Sequence, residues 1–124
     1  MGAGRLTFEV PGAPVPKARP RRAKYGGVYT PRRTRDYEAK VAGYALKARA
    51  EAGWKRLSGP VGIEIRIRGA RNSDIDNIAK AIADSLNRIA YDDDRQIQEM
   101  TVVREAGDDG VTITVWAEEG ADDG

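Results

Sequence analysis

Residues 61–94 read VGIEIRIRGARNSDIDNIAKAIADSLNRIAYDDD, and the fold turns on how this span divides. Val61, Ile63, Ile65 and Ile67 alternate with Gly62, Glu64, Arg66 and Arg68. That period of two predicts a strand with one buried face and one basic face. From about Asp76 to Ile89 the period changes to that of a helix. At about 100° per residue from Asp76, the residues Ile78, Ala79, Ile82, Leu86 and Ile89 fall between about 200° and 300°. Lys80, Asp84 and Asn87 fall within about 80° of Asp76, so the helix buries one side and lines its polar groups along the other.

This span also carries the chemistry. Its part from Asp74 to Asp94 holds six acids, Asp74, Asp76, Asp84 and the run Asp92–Asp93–Asp94, in a chain with no histidine and no cysteine. Oxygen donors alone suit a hard divalent cation such as Mg2+, with Mn2+ as a substitute, held by a few carboxylates together with substrate phosphate. Asp74 and Asp76 lie two apart in extended chain, which turns both to one side. Lys80, one helical turn from Asp76, is placed to hold a phosphate or stabilise developing charge. Each acid has a plainer reading: Ser73 or Asp74 caps the helix, Asp76 complements its dipole, and Lys80 pairs with Asp76 or Asp84. Three acids at a helix C-terminus are unfavourable without a cation, which favours the metal reading for the set.

Outward from this span, Leu6–Val10 alternates and predicts a first strand. Pro11 to Pro31 holds five of the six prolines and reads as an irregular arm or loose hairpin, with Lys24–Tyr25 and Val28–Tyr29 as its legs. Thr34 is the expected N-cap of a helix carrying Tyr37, Val41, Tyr44, Ala45 and Ala48 at helical spacing, stopped by Gly53. Gly43 inside that helix costs roughly 1 kcal/mol against alanine, which points to close packing there. Met100–Glu105 and Val111–Ala117 read as an antiparallel pair joined across Gly107–Gly110. The expected fold is α/β, a small mixed β-sheet packed with two main helices in the order β-arm-α-β-α-β-β.

At 124 residues the chain is one domain, 1–124, with a basic proline-rich arm over 11–33 and an acidic tail over 118–124. The absence of cysteine and of an apolar span near 20 residues suggests a cytoplasmic protein with no membrane role. The net charge of +2 hides a strong asymmetry. Between Val10 and Arg35 there is no acid, while Lys17, Arg19, Arg21, Arg22, Lys24, Arg32, Arg33 and Arg35 cluster there. Such a cluster is the electrostatic footprint of nucleic-acid binding. Tyr25 and Tyr29 read as packing residues of the core or a dimer, and so do Trp54 and Trp116.

The string Asp74-x-Asp76-Asn77-x-x-Lys80-x-x-x-Asp84-x-Leu86-Asn87, followed by Tyr91-Asp92-Asp93-Asp94-x-Gln96, resembles the RusA family of Holliday junction resolvases. Pro14-x-Pro16-Lys17-x-Arg19-Pro20-Arg21 and Tyr29-Thr30-Pro31, leading into a helix with Tyr37-Glu38, extend the resemblance over nearly the whole chain. It implies a small RusA-like dimeric endonuclease, often phage- or prophage-borne, that cuts four-way DNA junctions symmetrically with magnesium. By motif, Asp74, Asp76 and Asp94 are the implied metal ligands, with Asp93 the second choice for the third. Lys80 is the implied catalytic lysine, with Asn77 and Asp84 supporting. The residues alone leave two other classes open: a metal-dependent nuclease of flap DNA or RNA, and a non-catalytic DNA-binding module.

Overall fold

The computed structural model describes residues 4–18 and 21–118, with Arg21 described by its backbone alone. Arg19, the Arg21 side chain and residues 119–124 of the expected tail therefore lie outside the described residues. The chain order is β1 (Leu6–Pro11), a short hairpin of β2 (Arg21–Arg22) and β3 (Val28–Tyr29), α1 (Arg32–Ala52), β4 (Val61–Arg68), α2 (Ile75–Ser85), a 3-10 turn (Asp94–Gln96), β5 (Ile97–Arg104) and β6 (Gly110–Ala117). Four strands form one mixed sheet in the order β1-β6-β4-β5. This matches the expected α/β class and element order.

The alternating runs decide which strands sit at the centre. Ile63, Ile65 and Ile67 on β4 and Val111, Ile113 and Val115 on β6 are fully buried, and these two strands pair antiparallel. Leu6, Phe8 and Val10 extend the same apolar face along β1. Over it lie Tyr37, Val41 and Ala45 of α1 and Ile78, Ala79 and Ile82 of α2. Burying such a face is the main favourable contribution to folding, at roughly 25 cal/mol per Å² of apolar surface.

The expected hairpin of Met100–Glu105 with Val111–Ala117 does not form. β5 runs parallel to β4 on the side away from β6, with Ile65 opposite Val102 on one strand and Ile113 on the other. The segment 105–109 crosses over β4 instead of turning tightly. Arg68 anchors it by donating to the Asp108 carbonyl at 3.0 Å, and Glu105 N–H donates to the Ile67 carbonyl at 2.9 Å. β5 has only half-buried apolar residues and an exposed Met100, so it takes the edge, while the more apolar β6 takes the interior.

Four local expectations are also revised. The outer face of β4 is not a free basic surface. Arg68 meets Glu9 at 2.7 Å and Glu105 at 3.0 Å, and Arg66 meets Glu105 at 2.9 Å. Helix α1 starts two residues before Thr34, with Pro31 at the N-cap; Thr34 is buried and its hydroxyl accepts the Ala18 N–H at 3.3 Å. Gly43 has nothing within 4 Å of where a Cβ would stand, so close packing does not explain it. The hairpin legs are Arg21–Arg22 and Val28–Tyr29, which puts Lys24–Tyr25 in the turn. Gly53 does end α1 in the left-handed conformation, at φ 61°.

Helix α2 stops at Ser85, short of the expected Ile89. Tyr91 is wholly buried and its hydroxyl donates to the Ala83 carbonyl at 2.7 Å, a group a longer helix would have used. Arg88 then turns left-handed at φ 72°. Asn87 consequently leaves the polar face of α2, and its Oδ1 is buried with no partner.

Candidate active site

Asp74 closes the loop from β4 and caps α2. Its Oδ1 accepts the Asp76 N–H at 3.1 Å, satisfying one of the free donors at a helix start. The loop before it is awkward: Gly69 and Ala70 have φ of 93° and 51°, a left-handed region that alanine seldom enters. Arg104, at the end of β5, holds it by donating to Gly69 O at 2.7 Å, Ala70 O at 3.2 Å and Ser73 O at 2.7 Å. Nothing in the sequence pattern marks Arg104 for this task, because its partners are backbone carbonyls on another element.

The far end of α2 is organised by the run of three acids. Because α2 ends at Ser85, the run does not sit at its C-terminus, and the helix dipole does not make the three acids unfavourable there. The three acids face different ways. Asp92 pairs with Arg56 at 3.0 Å. Asp93 caps the 3-10 turn, accepting the Arg95 N–H at 2.8 Å, while Gln96 Oε1 accepts the Asp93 N–H at 2.8 Å. Gln96 also donates to the Leu57 and Gly59 carbonyls, at 3.0 and 2.8 Å. The spacing Asp93-x-x-Gln96 is thus a structural clamp, and it presents Asp94.

Asp94 lines an open cleft between α2 and β5 of about 340 Å³. Its other walls are Asp76, Ala79, Lys80 and Ala83 from α2 with Ile97 and Met100 from β5. The carboxyl of Asp94 is pushed above the ordinary carboxylate value, by burial first and then by the neighbouring Asp84 and Asp93. The carboxyl of Asp93 is held below it, chiefly by the Arg95 backbone N–H. Lys80 is exposed on the cleft wall, midway between Asp76 and the Asp84–Asp94 end.

The three expected ligands do not all line the cleft. Asp76 does, from the first turn of α2, and so does Asp94, from beside Asp84. Asp74 caps the helix and does not line the cleft. Among the described residues no group of three or more His, Cys, Asp or Glu side chains is placed to hold a metal ion. The donor set, two carboxylates and a lysine, fits a hard cation that draws most of its ligands from substrate phosphate and water. It does not fit one caged by a single chain.

The supporting residues divide. Asn77 offers its backbone carbonyl, which accepts the Lys17 N–H at 2.8 Å. Asp84 meets the Lys17 ammonium at 3.1 Å, and Glu38 meets the same ammonium at 2.8 Å. Lys17 therefore points inward from the arm. Arg22, Lys24, Arg33 and Arg35 are exposed, and Arg32 is 3.7 Å from Asp36 with both side chains largely in solvent. Tyr25 is 92% and Tyr29 50% exposed, so neither packs in the core. The Lys24 ammonium sits 5.6 Å above the Tyr25 ring. Trp54 is buried as expected, and Trp116 covers Gly62, where a Cβ would meet its ring at 2.4 Å.

A carboxylate cleft with a lysine on its wall, in a chain whose hairpin carries exposed cations, suits the class of enzymes that hydrolyse phosphodiesters in nucleic acid. The family model for endodeoxyribonuclease RusA matches residues 11–116, and the chain belongs to that family. It is a hydrolytic nuclease of the kind that acts on branched DNA and resolves Holliday junctions, a family generally dependent on divalent metal. No curated protein matches the chain.

Proposed function

We propose that this chain acts as a homodimer that resolves four-way DNA junctions by paired, symmetric, magnesium-dependent cuts. The cleft shared by Asp76, Lys80 and Asp94 carries the reading, since it joins metal-type donors to a cation of phosphate-binding reach. Asp76 and Asp94 would hold the cation, and Asp74, whose Oδ1 accepts the Asp76 N–H, would reach it only with its other carboxylate oxygen. A bound magnesium supplies charge neutralisation at the phosphate and a more acidic water. Lys80 holds a non-bridging oxygen of the scissile phosphate and stabilises the charge that develops on it. Ala79, Ala83 and Ile97 keep the floor of the cleft apolar, which strengthens these charge interactions.

The exposed cations Arg22, Lys24, Arg32, Arg33 and Arg35 grip the phosphate backbone, with Tyr25 and Tyr29 standing among them. Two coordinated cuts across a branch need two sites, which a two-fold dimer provides. The test is cleavage of labelled four-way junction, flap, linear duplex and RNA, each with and without magnesium, alongside sedimentation to give the oligomeric state. Paired cuts confined to the junction, lost in chelator, are expected. Preferential cutting of flaps or RNA would replace the substrate, and a monomer that cuts at full rate would remove the dimer.

A further inference from the structure

Lys17 belongs by sequence to the cation cluster of the arm, yet it is tied down at both ends. Its backbone N–H donates to Asn77 O in the first turn of α2 at 2.8 Å. Its ammonium reaches Asp84 at 3.1 Å, seven residues further along the same helix, and Glu38 of α1 at 2.8 Å. Seven helical residues span roughly 10 Å, so the lysine lies lengthwise in the seam where the arm, α1 and α2 meet. Its side chain is 24% exposed, and Glu38 and Asp84 are 22% and 27% exposed.

We infer that Lys17 is a positioning residue, an internal strut that acts on the Asp94 end of the cleft through Asp84 and makes no phosphate contact of its own. Asp84 stands next to Asp94, and two half-buried carboxylates side by side repel each other. The Lys17 ammonium compensates one of them. Asp84 is thereby held toward the seam, and Asp94 is left to the cleft. Burial alone would lower the Lys17 pKa; the Glu38 and Asp84 carboxylates more than offset this and hold it above the ordinary lysine value. The same residue begins the cation-rich segment, so it also fixes where the hairpin leaves the body of the protein relative to α2.

This inference rests on the cleft being the metal-dependent site, and its test separates the two. Four variants are compared with the parent protein: Lys17→Met, Lys17→Arg, Asp84→Asn, and Lys17→Met with Asp84→Asn. Three quantities are measured: Mn2+ binding to the protein alone by electron paramagnetic resonance, metal-free binding to a four-way junction against salt, and junction cleavage in magnesium. Lys17→Met is expected to weaken Mn2+ binding and cleavage by about tenfold or more, the usual effect of losing a group that orients a ligand. Its metal-free junction affinity and salt slope should stay as in the parent. Lys17→Arg should recover much of the loss, and so should the double variant, because without the Asp84 charge no compensating cation is needed. Asp84→Asn alone should bind Mn2+ nearly as the parent does.

A Lys17→Met protein that loses junction affinity, with the salt slope lowered by about one, would show a phosphate contact and overturn the inference. A double variant no better than Lys17→Met, or an Asp84→Asn protein unable to bind Mn2+, would overturn it as well. Should Lys17→Met not fold, the arginine variant and Asp84→Asn decide by the same Mn2+ readout. A parent protein that shows the coupling in Mn2+ binding yet cuts no junction would sink the proposed function and leave the strut intact.

Discussion

Asp93 and Asp94 are joined by one peptide bond and are held in opposite electrostatic conditions. Asp93 accepts backbone N–H bonds, which favour its charged form; Asp94 is partly buried beside other carboxyls, which disfavours its own. Only Asp94 lines the cleft. Asp94→Asn and Asp76→Asn are therefore expected to abolish cleavage while leaving junction binding intact or stronger, since each removes a negative charge near phosphate. Asp93→Asn should lower the melting temperature and leave turnover within a few-fold of the parent. Melting curves, junction binding and single-turnover cleavage check this set together. In the sequence, charge and spacing do not rank the three acids; only the resemblance through Asp93-Asp94-x-Gln96 puts Asp94 first and Asp93 second. Which one faces the cleft depends on Gln96 reaching Leu57 and Gly59, on a segment some 37 residues away.

Among the elements, the β4–α2 unit was the most legible and the β5–β6 connection the least. Period-two and helical patterns report burial directly, and Val61, Ile63, Ile65, Ile67, Ile78, Ala79 and Ile82 are buried as their spacing predicts. Strand partners are not written in that pattern. Gly107–Gly110 suits a tight turn, yet β6 gains more apolar contact beside β4 than beside the exposed residues of β5. Helix α2 ends before its periodicity predicts for a similar reason, because the Tyr91 hydroxyl competes for a helix carbonyl from outside the helix. The element-scale prediction concerns Arg104. Replacing it with alanine frees the Gly69–Ser73 loop with its left-handed Ala70, at a cost of about 1 kcal/mol of stability. Cleavage should fall more than junction affinity does, because Asp74 and Asp76 are displaced while the hairpin cations are untouched. Equal loss of both would show that Arg104 contacts DNA.

For the molecule as a whole, charge governs two behaviours. Junction affinity should fall steeply with salt, and replacing Arg32 and Arg33 with glutamine should lower the log–log slope by up to about two. An unchanged slope would place the DNA elsewhere. On the opposite face of the sheet, Glu105 is held below its ordinary carboxyl value, first by Arg68 and then by Arg66. A depressed folded-state pKa contributes stability above the unfolded value, here near 4.5, and that contribution is lost as pH falls through the folded value. The unfolding midpoint should thus drop on acidification below about pH 4.5, and Glu105→Gln should flatten that limb of the profile. A variant that keeps the parent's acid limb would assign it to other carboxyls.

The sequence by itself determined the α/β class, the order of elements, the oxygen-only donor set and the family, because these follow from periodicity, composition and motif spacing along one stretch of chain. Tertiary structure alone decided that β5 lies parallel at the sheet edge, that α2 ends at Ser85, and that Lys17 turns inward to Asp84 and Glu38. Each of those outcomes is a competition with partners outside the element concerned. It is settled by burial and hydrogen bonding after the core has formed, and local spacing holds no record of it.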